Sequence, residues 1–167
     1  MFRPYIQSGT QIWVVHKINK LPIEIIRFAL NLAALDFMNY VRIDAETIAA
    51  SSESHPNRPN VPIIQMNHPT AIGIEVLYSL EYKTVDFYDI NSPIKGNGGK
   101  MAEAILKDFP EEWRPVVFND WSDGFWDHIK EKYKHLDWMK DPFWQSIIIQ
   151  SYLAKAQESA DFYWTTS

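Results

Sequence analysis

From Ile72 onward every second position is apolar: Ile72, Ile74, Val76, Tyr78, Leu80 and Tyr82 alternate with Gly73, Glu75, Ser79, Glu81 and Lys83, and only Leu77 breaks the polar row. A period of two marks a strand with one buried face, and a helix cannot produce it. The chain can turn at residues 81–84, after which residues 85–90 (VDFYDI) supply a second strand and complete a hairpin. Upstream, residues 11–18 are rich in β-formers (Ile12, Trp13, Val14, Val15) and predict a first strand. A helix is predicted over 23–39, where Ile25, Ile26, Ala29, Leu30, Ala33 and Phe37 recur at helical spacing; Asn19 can cap it and Pro22 suits its first turn. Residues 41–49 alternate Val41, Ile43, Ala45 and Thr47 against Arg42, Asp44 and Glu46, which predicts one half-buried strand, with a continued helix as the other reading.

Residues 51–62 hold Ser51, Ser52, Ser54, Pro56, Pro59 and Pro62 and predict an exposed loop. A helix over 101–109 turns Met101, Ala104 and Ile105 inward, and Pro110 ends it. Val116, Val117 and Phe118 form a short apolar run of the kind buried on both faces of a sheet. Phe125, Ile129 and Tyr133, four residues apart, predict a further helix over 125–133. The tail, residues 143–167, fits two closing strands or a helix and a strand. This order predicts the α/β (α+β) class, with a mixed, mainly antiparallel sheet and helices on both faces.

The length, 167 residues, suits one domain over 1–167, and 46% hydrophobic with 22% charged residues describes a folded chain rather than a disordered one. A net charge of −5 argues against a general nucleic-acid binder, which needs a basic face to neutralise phosphates. Cysteine is absent, which excludes disulfides, thiolate zinc sites and a cysteine nucleophile, and suits a reducing cytoplasm. The N-terminal stretch has no signal-peptide pattern, and Glu24, Arg27, Asn31 and Asp36 interrupt the most apolar segment, so no membrane span and a cytoplasmic location are expected.

The chemistry concentrates between the second hairpin strand and the next helix. Three of six glycines fall within Gly96, Asn97, Gly98 and Gly99, flanked by Lys95 and Lys100. Glycine admits a ligand where a Cβ would stand, and a helix start aims free N–H groups and a positive dipole end at one point. With two lysines alongside, that arrangement suits a pyrophosphate; a flexible turn with two solvated lysines is the plainer reading. The spacing excludes a nucleotide P-loop, because Met101 follows Gly99 and Lys100, and a dinucleotide fingerprint fails at the same methionine.

Over residues 72–133 the chain resembles the GNAT (general N-acetyltransferase) family of acyl-coenzyme A transferases. The hairpin IGIEVLYSLEYKTVDFYDI leads into PIKGNG, then the helix MAEAILKDF, the strand PVVF and a helix near SDGFWDHIKEKY. Gly96 and Gly98 match the family's [QR]-x-x-G-x-[GA] loop, while Pro93 stands where the pattern has Gln or Arg. The resemblance implies an acyl-CoA N-acyltransferase-like fold and transfer of an acyl group from acetyl-CoA to an amine of an unknown acceptor. It implies cofactor contacts from Ile90, Lys95, Gly96, Asn97, Gly98, Gly99 and Lys100, with Asn119 on the pantetheine arm. The thioester would lie between strands ending near Ile90 and Phe118. Glu75 and Asp89, carboxylates on the hairpin, are the general-base candidates, each with the plain alternative of a solvent-face residue. Trp126 occupies the usual position of the family's acid tyrosine, and the role passes to Tyr133.

Two other readings stand beside this one. The same fold could serve as a non-catalytic CoA-binding or interaction protein, its aromatic tail (Trp138, Phe143, Trp144, Phe162, Tyr163, Trp164) forming a homodimer interface. Alternatively Asp120, Asp123, Asp127 and His128 could ligate a metal in a hydrolase, although Asp127 and His128 diverge by about 100° on a helix.

Overall fold

The computed structural model describes residues 2–7, 10–15, 20–117, 120, 122–140, 150 and 154. Phe2–Gln7 (β1) and Thr10–Val15 (β2) pair antiparallel. Helix α1 (Ile23–Ala33) follows, its first turn set by Pro22, whose carbonyl accepts from the N–H groups of Ile25 and Ile26. The helix ends earlier than its apolar pattern predicts. The Asn39 N–H donates to Ser51 O at 3.2 Å and its Nδ2 to Ser52 O at 3.0 Å, which draws the chain into the sheet.

Tyr40–Ile43 (β3) runs parallel to β2, and Thr47–Ser51 (β4) returns antiparallel beside it. The single strand expected over 41–49 is therefore a hairpin. Its turn is closed by Asp44 N–H to Thr47 O at 2.8 Å and held from outside, where Tyr78 donates its N–H to Glu46 O and its hydroxyl to Asp44 O. The turn shifts the phase of burial, so Ile48 and Ala50 face the core rather than Thr47. The loop expected over 51–62 is also partly ordered, as a second hairpin of Ser54–His55 (β5) and Arg58–Pro62 (β6) that packs on β3.

Gly73–Ser79 (β7) and Thr84–Asn91 (β8) form the predicted antiparallel pair. Asn97–Leu106 (α2), Arg114–Val116 (β9) and Phe125–Lys132 (α3) complete the described elements, β9 parallel to β8. The result is an α+β fold whose mixed sheet has the order β1-β2-β3-β4-β7-β8-β9, with four antiparallel and two parallel pairings among the described strands.

One sheet face carries Val41, Ile43, Ile48, Ala50, Ile74, Val76, Val85 and Phe87, and all three helices join them in a single cluster. Burial of Ile25, Phe28, Leu32, Met101 and Ile105 is the main stabilising term, at roughly 1.5–3 kcal/mol for each large apolar side chain. Leu77, which broke the alternation, packs on the other face against Val116 and Met139. Its deviation from the polar row thus marks where Val116, in the same cross-strand row, and Met139 bury part of that face. Among the described residues no helix is long and apolar enough to cross a membrane. Of the aromatic interface expected at this end, Trp138 is buried in the core and donates its indole N–H to Tyr133 O at 2.9 Å, while residues 143–167 lie outside the described residues apart from Gln150 and Ala154.

Candidate functional site at the end of β8

The described pairing of the parallel strands β8 and β9 is short. Thr84, Val85 and Asp86 pair with Arg114, Pro115 and Val116, and beyond Asp86 strand β8 continues to Asn91 with no further partner on that side among the described residues. At the same point β8 carries a bulge: Glu75 faces Asp89 and Val76 faces Phe87, which leaves Tyr88 as the extra residue. A bulge bends its strand and increases the local twist, and this one falls just past the last described pair with β9.

The bent strand delivers the chain to α2. Ser92 shapes the connection, accepting the Ile94 N–H at 3.2 Å and donating its hydroxyl to Ile94 O. Gly96 is the N-cap at φ 98°, a left-handed conformation that side-chain-bearing residues rarely adopt. No side chain caps α2 and no acidic residue lies in its first turn, so the positive helix end is not neutralised from within its own first turn. A Cβ on Gly98 would make ordinary contact with Ile90 and Phe125, whereas one on Gly99 would meet nothing within 4 Å. Gly99 has no packing reason to be glycine, although glycine weakens a helix by about 0.5–1 kcal/mol relative to alanine. Lys95 and Lys100 stand exposed beside it.

On the opposite sheet face the registers align Arg42 (β3), Ala49 (β4), Glu75 (β7) and Asp89 (β8) in one row. Arg42 is 6% exposed and pairs with Asp44 at 2.7 Å. Burial, then the neighbouring Asp89 and Asp44, push the Glu75 carboxyl up to about 7, against a smaller opposing pull from Arg42. Burial also raises Asp89. Tyr88, half exposed on the bulge, is held protonated by burial and by the charges of Glu75, Asp89 and Asp86. A carboxylate poised near neutrality beside a protonated hydroxyl can exchange a proton with a substrate at neutral pH.

The structure thus brings Glu75 and Asp89 together at the bulge, with Ile90 and the Gly96–Lys100 cradle at the end of the same strand. Tyr133 is not part of this group. It ends α3, and its hydroxyl meets Glu103 Oε1 of α2 at 3.2 Å, beside the Lys132–Glu103 ion pair, in the helix layer across the sheet from Glu75. Burial and Glu103 raise its hydroxyl above the ordinary tyrosine range. Asn119 and Phe118 lie outside the described residues. In the acidic segment, Asp120 Oδ1 accepts the N–H and hydroxyl of Ser122, whose Oγ accepts the Trp126 N–H. This is a helix-start device, and among the described residues no three His, Asp or Glu groups come together to hold a metal. Trp126 stacks on Phe87 with ring centroids 4.8 Å apart, which anchors α3 to the strand at its bend.

Sequence reasoning missed Arg42, Asp44 and Tyr88. Arg42 reads as a solvent-face residue in an alternating strand, and only its cross-strand register with Glu75 reveals it. Tyr88 gave no signal, because a bulge depends on the pairing of two strands.

The fold and the site define a class: an α+β protein whose mixed sheet has a bulged strand leading into a glycine-led helix, with a carboxylate pair at the bulge. No family model matches the chain, and neither a curated protein nor a solved structure matches it.

Proposed function

We propose that the protein transfers an acyl group from an acyl-coenzyme A to an amine. The observation that carries this reading is the bulge that sets Asp89 opposite Glu75 on the strand whose end feeds the uncapped glycine turn of α2. The helix start offers the phosphates of the coenzyme N–H donors and positive charge, and the carboxylate pair lies along the same strand. Glu75 is the general base: it takes the proton from the amine as the C–N bond forms and the C–S bond breaks. Tyr88, the hydroxyl in the field of both carboxylates, returns a proton to the leaving thiolate. Asp89 keeps Glu75 basic at neutral pH.

Acetyl-CoA is expected to stabilise the protein by about 2.7 kcal/mol at 100 times its dissociation constant, measured as a melting shift. Pantetheine, which lacks the pyrophosphate, should produce a much smaller shift. No shift at millimolar acetyl-CoA would remove the proposal, and a shift without acetylation of any amine in a broad panel would reduce it to CoA binding.

Gly99→Ala separates the cradle from an ordinary turn. The added methyl enters open space, so the variant should be more stable than the parent by up to about 1 kcal/mol. It should also bind acetyl-CoA several-fold more weakly, because the methyl stands where the phosphates approach. Unchanged affinity, read by calorimetry, would place the ligand elsewhere.

A further inference from the structure

One imidazole holds the segment between β6 and β7. The His68 N–H donates to Gln65 O at 3.1 Å, and the ring Nδ1 accepts two backbone N–H groups, from Thr70 at 3.1 Å and Ala71 at 2.8 Å. A ring nitrogen that accepts carries no hydrogen, so this imidazole is neutral with its proton on Nε2. Asn91 pins the same stretch from the other side: its Nδ2 donates to Ala71 O at 2.8 Å and its Oδ1 accepts the Asn67 N–H at 3.0 Å. Asn91 is the last residue of β8, so residues 67–71 are fastened to the strand end that feeds the glycine turn.

We propose that His68 is a pH-responsive staple whose protonation at Nδ1 releases residues 67–71 from the end of β8. The proton and the two N–H donors compete for one lone pair. Once the proton is bound, the Thr70 and Ala71 N–H groups face another donor. Ala71 is 1% exposed, so its N–H cannot turn to water without movement of the segment. The staple is therefore closed while Nδ1 is free to accept and opens when it takes up a proton on acidification.

Residues 59–74 contain no other ionisable side chain. On the neighbouring elements the titratable and charged groups are Glu53 before β5, His55 on β5, Arg58 on β6, Glu75 and Tyr78 on β7, Asp86, Tyr88 and Asp89 on β8, and Lys95 after β8. None of them makes an ion pair or hydrogen bond with His68 among the described residues. The response thus belongs to His68 itself and does not depend on what the glycine turn binds.

The test is amide-exchange protection of Thr70 and Ala71, measured by NMR and corrected for the intrinsic pH dependence of exchange. Protection should fall about tenfold between about pH 7.5 and pH 5, the loss expected for two hydrogen bonds. His68→Asn places an amide oxygen near the position of Nδ1, able to cap the same two N–H groups without titrating. It should keep protection at both pH values, whereas His68→Ala should lose it at both. Equal protection of the parent at both pH values, or a fall in His68→Asn matching the parent, would overturn the proposal. Nitrogen shifts of the parent imidazole provide a check that needs no variant: a ring protonated on Nδ1 at pH 7.5 would be fatal to it.

Discussion

Glu75→Gln is expected to lower kcat/KM for acyl transfer by about 10²–10⁴-fold and to abolish the acidic limb of the pH–rate profile, which should fall near pH 7 in the parent. The same substitution should make the protein more stable at pH 8. The sign follows from proton binding. The folded-state carboxyl titrates at about 7 and an unperturbed glutamate at 4.5, so between these values the folded state binds more protons than the unfolded one. The parent therefore loses stability as pH rises from about 4.5 to about 7, by about 2–3 kcal/mol, and levels off above that. Glutamine resembles the protonated side chain and escapes this loss. Equilibrium unfolding at pH 4 and pH 8 checks it: the variants should agree at pH 4 and diverge at pH 8. A Glu75→Gln protein with full activity would remove Glu75 from the chemistry, and one with the parent's pH-dependent stability would contradict the placement of its carboxyl.

Arg42→Ala should carry the larger stability cost, about 3–5 kcal/mol, because it strands Asp44 as a buried carboxylate. Against a total stability of about 5–15 kcal/mol for a typical domain, that approaches unfolding. Arg42 also opposes the upward push on Glu75, so its removal should move the acidic limb of any surviving activity to higher pH. The pair Arg42→Met with Asp44→Leu should recover much of the loss, since two apolar residues of similar size leave no uncompensated charge. Urea titrations of the single and double variants measure both effects. A cost below about 1 kcal/mol for Arg42→Ala would mean that water reaches the pair as it does on a surface.

The period-two run beginning at Ile72 determined β7, and through the turn after it the hairpin with β8, because a strand with one face in the core admits no other periodicity. Gly96 likewise marked a helix start, since few residues tolerate its φ of 98°, but the helix runs over Asn97–Leu106 rather than 101–109, so Gly98 and Gly99 lie in its first turn instead of before it. The class of the fold was also legible, as the order of strands and helices restricts how the apolar faces can be covered. Residues 41–49 were not legible in this way. Their alternation fits one strand or a hairpin, and the decision came from Tyr78, more than thirty positions away, whose N–H and hydroxyl hold the turn at 44–46.

The candidate site divides along the same line. Glu75 and Asp89 could be named from the sequence as carboxylates on a hairpin, but nothing local showed that they face each other across a bulge. Nor did anything local place Tyr88 beside them, or put Tyr133 against Glu103 in the helix layer. Register is a relation between strands, and burial is a relation between a side chain and everything packed on it. The sequence by itself determined which segments are strands, which are helices and where an anion could be received. Only the tertiary structure decided that a bulge in β8 sets Asp89 opposite Glu75, and that the row from Arg42 to Asp89 is buried enough to hold one carboxyl near neutrality.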